Sequence, residues 1–385
     1  MKNNYPFIFV HGTLGYGDND FVSKLANYWG LSTGNLIKNL NQKGLESYAP
    51  SLGGLTGLWD RCCDLYARLV GGTVDYGKAH SEKYGHPRFG KTYKEPLIKN
   101  FDEKHKINLI GSSFGGPNVI LFSSLMAYGS KEEREVTDEN DLSPLFKGGH
   151  GKYINSVITL AGVNNGTTLF EIGRPALKPL NFLMCSVSNL FGKFPFLSEF
   201  HDLGMEQFGL QKQDENGKFV STSFDFGKIK NACNSKEGTF YEMGLTELQE
   251  LNDKFKTNND AYYFAFPYRT TKTNKNQKEN PLLSTLFIHI PFAFLMGRYE
   301  NSSLGVDEKW FQNDCLVNTI SEKAPFNAKS EEFVKQRGNF ERGTWYNMPV
   351  QIGDHFAHVG GMYPKLNNDY QTRALNFLTF VNNLH

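Results

Sequence analysis

The motif Gly111-x-Ser113-x-Gly115 constrains the fold of this chain most, because of the segments on either side of it. A short β-rich run, 106–110, leads directly into the motif, and a helical pattern follows at 118–128. Glycines around a serine permit a sharp strand-to-helix turn whose strained backbone presents the hydroxyl. The bare pattern also occurs in ordinary turns, but between a strand and a helix it predicts a nucleophilic serine.

Strand and helix patterns alternate along most of the chain, and no internal repeat is visible. Alternation at this spacing indicates a mostly parallel central sheet with helices on both faces. Together with the serine turn it predicts an α/β-hydrolase fold that occupies 1–385 as one domain. The predicted strands are 5–10, 45–49, 106–110, 154–160, 262–266 and 350–352, and the predicted helices include 34–40, 58–70, 118–128 and about 369–384.

A serine hydroxyl needs a general base and an orienting carboxylate, which follow it in the order serine, acid, histidine in this fold. His355 and His358 lie just after a short strand and before the C-terminal helix, and we favour His355. For the acid we favour Asp314, which lies in a polar turn upstream of both histidines. Asp307 and Asp354 are alternatives, although Asp354 adjoins His355 and neighbouring side chains usually point apart.

Acyl transfer through a serine also needs two backbone amides aimed at the developing oxyanion. Thr13 follows His11 and Gly12 at the end of the first predicted strand, so its amide is one candidate donor. The second is Phe114, the residue after the proposed nucleophile.

Two segments do not fit the alternation of the core. The first, about 168–209, is rich in Leu, Phe and Met and indicates an inserted helical cap. The second, about 281–297, is apolar at nearly every position, which is typical of a buried segment or of one that lines a lipid-sized cleft.

The composition excludes several other classes of protein. Forty-one basic and 40 acidic residues give a net charge of +1 without a basic block, so no nucleic-acid partner is predicted. The longest apolar stretch, 282–296, is too short and too interrupted to span a bilayer. Five cysteines define no disulfide framework, and the first residues lack a signal sequence, which indicates an intracellular protein or one whose leader was removed.

Several stretches of the sequence resemble the bacterial triacylglycerol lipases that include the thermoalkaliphilic and staphylococcal enzymes. The resemblance spans nearly the whole chain and implies hydrolysis of lipid esters through an acyl-serine, and secretion. Its most specific stretches are Trp59-Asp60-Arg61-Cys62-Cys63, 69–77, His80, Gly85-His86, Arg88-Phe89-Gly90, Thr92-Tyr93, 143–146, 166–169, Asn313-Asp314 and Val317-Asn318-Thr319.

The resemblance also implies a structural zinc in an insertion at about 55–95. The matching ligands are Asp60, His80, His86 and Glu237, with Glu242 as the alternative to Glu237. Four protein ligands leave no open position for water, so such a zinc would brace the insertion without taking part in the hydrolysis.

The family's calcium site just after the catalytic histidine is expected to be absent, because Ala357 and Met362 stand where acidic residues are needed. The family's lid lies between the nucleophile helix and the catalytic acid. Here the run 176–190 resembles the lid helix, inside a cap of about 168–240.

The sequence therefore predicts a triacylglycerol lipase that acts on a lipid ester and whose apolar cap opens at an interface. An esterase of short-chain esters or polyesters is the alternative, because Phe114 replaces the family's usual Gln and its ring would alter the cleft. A non-catalytic lipid-binding relative and a metallohydrolase are more remote. The sequence does not indicate the oligomeric state.

Overall fold

The computed structural model describes residues 4–18, 20–214, 217–334, 339–361 and 369–384. Its centre is a seven-stranded sheet in the order β11-β12-β7-β6-β5-β1-β2, in which every neighbouring pair runs parallel. The strands are β1 Phe7–Val10, β2 Ser47–Tyr48, β3 Gly72–Asp75, β4 Phe89–Tyr93, β5 Ile107–Ser112, β6 Ile154–Leu160, β7 Tyr262–Phe266, β8 Tyr268–Arg269, β9 Thr271–Thr273, β10 Glu279–Pro281, β11 Ser330–Glu332, β12 Trp345–Asn347 and β13 Gln351–Ile352.

Helices connect and cover these strands. The α-helices, numbered in chain order, are α1 Leu36–Gln42, α2 Leu58–Val70, α3 Lys78–Tyr84, α4 Gly115–Tyr128, α5 Lys131–Val136, α6 Pro144–Lys147, α7 Thr168–Lys193, α8 Pro195–Phe200, α9 Phe226–Asn234, α10 Thr239–Glu242, α11 Leu245–Lys254, α12 Ile290–Met296 and α13 Tyr370–Val381. Within the described residues, no helix combines the length and apolarity needed to cross a membrane.

The central strands are buried on both faces, as expected for parallel strands between helical layers. Successive side chains of β5 point to opposite faces, so Leu109 packs with α2 and α4 while Ile110 packs with α1 and α13. The side chains of Val157 and Ile158 of β6 also point to opposite faces of the sheet. The predicted mostly parallel sheet with helices is therefore confirmed.

One predicted sheet strand is wrong. The segment 350–352 was expected to complete the central sheet, but in the part of the chain that the structure describes β13 pairs with the two-residue strand β8 and with no strand of the central sheet. The position beside β7 belongs to β12, whose Trp345 and Tyr346 are buried in the two core layers. β12 is only three residues long, so it shows no alternation that the sequence could reveal.

The segment between β6 and β7 carries the helices α7 to α11. The long helix α7 contains Pro175 and Pro179, and its C-terminal half packs with α9 around a small separate core. The segment 281–297 is not a buried one, because Phe287 is 81% exposed and the side of α12 that bears Phe294 also faces outward. α12 lies against α7.

Candidate active site and metal centre

Ser113 occupies the turn between β5 and α4 with a backbone φ of +55°, a value that side-chain-bearing residues rarely adopt. The flanking glycines make the turn possible. A Cβ at Gly111 would lie 2.1 Å from the carbonyl oxygen of Gly115, and one at Gly115 would lie 2.3 Å from that of Val10. The strained serine is therefore held between the end of β5, the start of α4 and the end of β1.

A continuous chain of hydrogen bonds runs from Ser113 to a buried carboxylate. His355 Nε2 lies 2.8 Å from Ser113 Oγ, and His355 Nδ1 lies 2.5 Å from Asp314 Oδ2. The backbone amide of His355 also donates to the carbonyl of Asp314 at 2.9 Å. The structure thus brings together the three residues that the sequence nominates, in the geometry by which a carboxylate orients an imidazole toward a hydroxyl.

The second oxygen of Asp314 is occupied by the backbone. Asp314 Oδ1 accepts hydrogen bonds from the amides of Leu316 at 2.9 Å and Val317 at 2.7 Å. Burial alone would raise the pKa of Asp314, but the charge and hydrogen bond of His355 and these two amides hold the pKa below its ordinary value. Asp314 is therefore an ionised partner for His355.

A second buried carboxyl group, Glu322, was not identified from the sequence. Its Oε2 accepts a hydrogen bond from the backbone amide of Tyr268. Burial and then the charge of Asp314 raise the pKa of Glu322 well above its ordinary value, so this group is neutral and adds no negative charge beside Asp314. No local motif marks it, because its partners come from other parts of the chain.

The alternative candidates for the catalytic base and acid have other hydrogen-bond partners. His358 Nε2 lies 2.6 Å from Ser112 Oγ, and Asp354 Oδ2 lies 3.1 Å from Nδ1 of the buried His289. Asp307 begins a short 3-10 helix, where its side chain accepts from the amide of Lys309 at 3.0 Å. None of these three groups joins the hydrogen-bond chain to Ser113 in the described residues.

The loop after β1 lies directly against the nucleophile turn, since a Cβ on Gly12 would lie 2.8 Å from that of Ser113. Within the described part of the chain, neither the amide of Thr13 nor that of Phe114 donates a hydrogen bond. Arg61 holds this loop in place, because its guanidinium donates hydrogen bonds to the carbonyl oxygens of His11 and Gly53 at 2.5 and 2.6 Å. The two proposed oxyanion donors are thus free to bind a ligand.

The ring of Phe114 does not line a cleft, contrary to the expectation from the sequence. It is completely buried in the main core, with the Arg61 guanidinium 5.9 Å from the ring centroid. The helical conformation of Phe114 at the start of α4 turns its side chain inward while Ser113 points outward.

Four side chains of the insertion and cap converge on one point. The ligand atoms of Asp60, His80, His86 and Glu237 all lie within 4.8 Å of one another. They come from α2, α3, the turn after α3 and the residue two before α10. Two histidine nitrogens and two carboxylates at this separation can surround a single divalent cation.

The atoms that face this point are otherwise unpaired. Asp60 Oδ1, His80 Nε2, His86 Nε2 and both carboxylate oxygens of Glu237 are buried and make no hydrogen bond apart from one another. Orphaned buried donor and acceptor atoms carry a large desolvation cost, which a bound cation would remove. The donor set therefore fits a metal ion.

The outward-facing atoms of the same ligands are fixed by protein groups. His86 Nδ1 lies 2.9 Å from the carbonyl of Pro87, which favours the tautomer that leaves Nε2 free, and Gln207 donates to Asp60 Oδ2 at 2.7 Å. Glu242, the alternative ligand, lies outside the group and accepts from the amide of Leu58 at 2.6 Å. Ala357 lies buried in a 3-10 helix, and Met362 falls outside the described residues.

The parallel sheet and its helices define an α/β-hydrolase-like lipase fold. Within this class the chain belongs to the family described as "Lipase-like, C-terminal domain", whose model matches residues 3–383. It is 32% identical over 364 residues to Lipase 1 of Staphylococcus aureus (strain NCTC 8325 / PS 47), an alignment that covers 93% of this chain and 51% of that protein. The chain therefore spans about half the length of this relative.

Solved structures give a similarity over the full chain. EstA from Clostridium botulinum has a TM-score of 0.81 at 35% identity and covers 100% of this chain and 88% of that one. The Staphylococcus hyicus lipase has a TM-score of 0.84 at 29% identity and covers 99% of this chain and 96% of that one.

Proposed function

We propose that this protein hydrolyses carboxylic esters of lipids, triacylglycerols foremost, through an acyl-Ser113 intermediate. The observation that carries the proposal is the uninterrupted hydrogen-bond chain from buried Asp314 through His355 to Ser113. Membership of the lipase-like family and the similarity to the S. hyicus lipase support a lipid ester as the substrate.

In the first half of the reaction, His355 Nε2 accepts the Ser113 proton while Oγ attacks the ester carbonyl carbon. Asp314 keeps the proton of His355 on Nδ1 and stabilises the imidazolium that forms. The amides of Thr13 and Phe114 donate to the oxyanion of the tetrahedral intermediate. His355 then returns its proton to the leaving alcohol, and the acyl group stays on Ser113.

In the second half, water takes the place of the alcohol. His355 removes a proton from the water, whose oxygen attacks the acyl carbon, and the same two amides stabilise the second oxyanion. Collapse of this intermediate releases the carboxylic acid and returns the proton to Ser113 Oγ. One ester bond and one water molecule are consumed in each cycle.

The direct test is hydrolysis of p-nitrophenyl esters of graded chain length by the wild type and by Ser113→Ala. We expect turnover on medium and long acyl chains that disappears in the variant. Ser124→Ala, a buried serine of α4 without a role in the site, is the matched control and should retain the activity. Equal activity of wild type and Ser113→Ala would overturn the proposal.

The same series distinguishes the alternatives. Turnover confined to short acyl chains would identify an esterase, which the relatives named as lipases do not favour. Absence of turnover in the correctly folded wild type would instead indicate a non-catalytic lipid-binding protein.

We also propose that the segment of about 168–240 is a cap whose helix α7, which contains the run 176–190, serves as a lid. α7 contacts the main core through Leu177 and presents Phe182 and Leu183 to solvent. A helix that is apolar on both sides is suited to moving between the protein core and a lipid surface. Core and cap together form a single domain, 1–385, in this proposal.

The cation held by Asp60, His80, His86 and Glu237 is, in our proposal, a structural zinc. Four protein ligands would leave no position for a catalytic water, so the metal would supply a cross-link. It would join α2, α3 and the turn after α3, all within the insertion of about 55–95, to the cap at Glu237. Secretion stays a prediction that rests on the family resemblance.

A further inference from the structure

A chain of buried hydrogen bonds lies behind the nucleophile turn. The Gly12 amide donates to Tyr28 Oη at 3.0 Å, Tyr28 Oη lies 3.0 Å from Ser112 Oγ, and Ser112 Oγ lies 2.6 Å from His358 Nε2. Tyr28 is partly buried, and Ser112 and His358 are almost completely buried. The proposed chemistry uses none of these side chains.

The chain has one direction that satisfies every hydroxyl hydrogen. Because Tyr28 Oη already accepts from Gly12, its own hydrogen is free to donate to Ser112 Oγ. Ser112 then donates to His358 Nε2. Burial and the neighbouring His355 lower the pKa of His358 to about 3, so the ring is neutral and Nε2 can accept. The reverse direction would leave the Tyr28 hydrogen without an acceptor among these atoms, whereas the direction from Tyr28 to His358 places the ring proton on His358 Nδ1, which is buried without a partner in the described residues.

This chain joins the three segments that carry the proposed catalytic groups. Gly12 precedes Thr13 in the oxyanion loop, Ser112 precedes Ser113 in the turn, and His358 lies in the 3-10 helix that begins two residues after His355. Each contact is therefore within three residues of a group that must be placed correctly for reaction.

Contacts of Gly12 on either side of its Cα hold the peptide that carries the Thr13 amide and the peptide before it. Gly12 N–H is held by Tyr28, and the Gly12 carbonyl oxygen lies 2.9 Å from His11 Nδ1 and accepts from the amide of Gly15 at 3.1 Å. Since the Gly12–Thr13 peptide is planar and trans, a fixed Gly12 carbonyl directs the Thr13 N–H to the opposite side. Loss of the Tyr28 hydroxyl would remove one of the two hydrogen bonds that hold the preceding peptide, His11–Gly12, whose carbonyl oxygen would still accept from Arg61.

We propose that Tyr28, Ser112 and His358 are positioning residues. Their hydrogen-bond chain holds the oxyanion loop, the nucleophile turn and the His355 loop in fixed positions relative to one another. This inference rests on the proposed ester hydrolysis. Fixed donors stabilise an oxyanion without reorganising during the reaction, so the chain contributes to transition-state binding more than to substrate binding.

Tyr28→Phe and Ser112→Ala, singly and together, test the proposal on a soluble p-nitrophenyl ester well below the melting temperature. Each single variant removes one hydroxyl and breaks the chain. We expect kcat to fall about tenfold with KM changed less than twofold, which corresponds to one hydrogen bond made more strongly in the transition state. The double variant should be no slower than the slower single variant, because either change already interrupts the chain.

Tyr16→Phe is the matched control. The ring of Tyr16 packs edge-on against that of Tyr28, with 5.6 Å between the ring centroids, and the Tyr16 hydroxyl makes no hydrogen bond with the described part of the chain. It should keep the wild-type kcat. A purely structural role for the chain would lower the melting temperature while kcat stays unchanged, and this result would overturn the inference. The inference would also be overturned if the losses of kcat in the two single variants multiplied in the double variant.

The two proposals fail in different ways. A folded wild type without ester turnover contradicts the proposed function itself. An active wild type whose Tyr28→Phe and Ser112→Ala variants keep full kcat contradicts only the positioning chain.

Discussion

At the scale of single residues, Asp314 has two separate tasks that depend on its two oxygens. Oδ2 meets His355 Nδ1, and Oδ1 receives two backbone amides that hold the carboxylate in place. An amide side chain would fit the same space but would present a donor to one of these partners. The position of the His355 proton therefore depends on the carboxylate.

We expect Asp314→Asn to lower kcat by about 10⁴-fold with little change in KM, because His355 would be held in the wrong tautomer. Steady-state kinetics on a soluble ester measures both parameters. Asp307→Asn is the control, since asparagine can still accept from Lys309 at the start of that 3-10 helix, and its kcat should match the wild type. Comparable loss in both variants would contradict the assignment of the acid.

Glu322→Gln should change the pH dependence of stability. The folded pKa of Glu322 is raised, so above its ordinary value of 4.5 the unfolded chain releases a proton that the folded protein keeps. Each pH unit above that value then costs the wild type up to about 1.4 kcal/mol, and the variant avoids this cost. Urea unfolding from pH 4 to 7 should show the variant gaining relative stability as the pH rises. Parallel curves would show that Glu322 is ionised in the folded protein.

Sequence reasoning nominated site residues where a local pattern exists. Ser113 has its glycines on either side, and Asp314 and His355 follow it in the order that the fold requires. Glu322 and Tyr28 have no such pattern, because their partners Tyr268 and Ser112 are 54 and 84 residues away. Only the folded structure shows that these contacts exist.

At the scale of elements, the metal centre connects α2 and α3 with the segment that precedes α10. α3 is a seven-residue helix, and Glu237 precedes the four-residue helix α10. Helices this short are unstable alone. A shared cation would add a cross-link to the hydrogen bonds that hold these helices, such as those from the amides of Ala79 and His80 to Glu133.

Glu237→Gln should therefore lose the metal, whereas Glu242→Gln should keep it. Glutamine at 242 can still accept from Leu58, but glutamine at 237 removes a charged ligand from the group. We expect one zinc per chain by mass spectrometry of the metal content in the wild type and in Glu242→Gln, and far less in Glu237→Gln. Chelation should lower the melting temperature.

Metal retained in Glu237→Gln but lost in Glu242→Gln would reverse the ligand assignment. Chelation that leaves the melting temperature unchanged but abolishes ester turnover would instead favour a metallohydrolase.

The length of a strand determines whether a sequence pattern can identify it. β5 and β6 are six and seven residues of nearly continuous burial, and the sequence pattern identified both. β12 has three residues, and its place in the sheet is set by parallel pairing with β7 and β11. The more β-rich run at 350–352 pairs elsewhere, so composition alone chose the wrong segment.

At the scale of the whole molecule, the apolar surface is concentrated on the cap and on the segment beside it. Leu183 on α7 is 54% exposed, and Phe287 just before α12 is 81% exposed. α7 and α12 are in contact, so these residues belong to neighbouring elements. An exposed apolar area of this kind is typical of a surface that meets another apolar phase.

Leu183→Ser should lower the rate on emulsified triacylglycerol several-fold and leave the rate on a soluble short-chain ester within twofold of the wild type. Loss of an apolar contact with the lipid phase weakens adsorption without altering Ser113, Asp314 or His355. Val136→Ser on α5, at 43% exposure, is the control for removing an exposed apolar side chain elsewhere. Equal wild-type rates below and above the substrate solubility limit would contradict interfacial activation of the proposed lid.

Covalent trapping of the nucleophile tests the central claim most directly. The wild type would be incubated with a p-nitrophenyl ester of a long-chain alkylphosphonate, from which p-nitrophenolate leaves as Ser113 Oγ bonds to phosphorus; the adduct mimics the first tetrahedral intermediate. The intact mass and the modified peptide would then be determined. Our account predicts one adduct per chain, mapped to Ser113 and not to the neighbouring Ser112, with loss of ester hydrolysis in proportion to labelling. An adduct on another residue, or full labelling with hydrolysis unchanged, would contradict it.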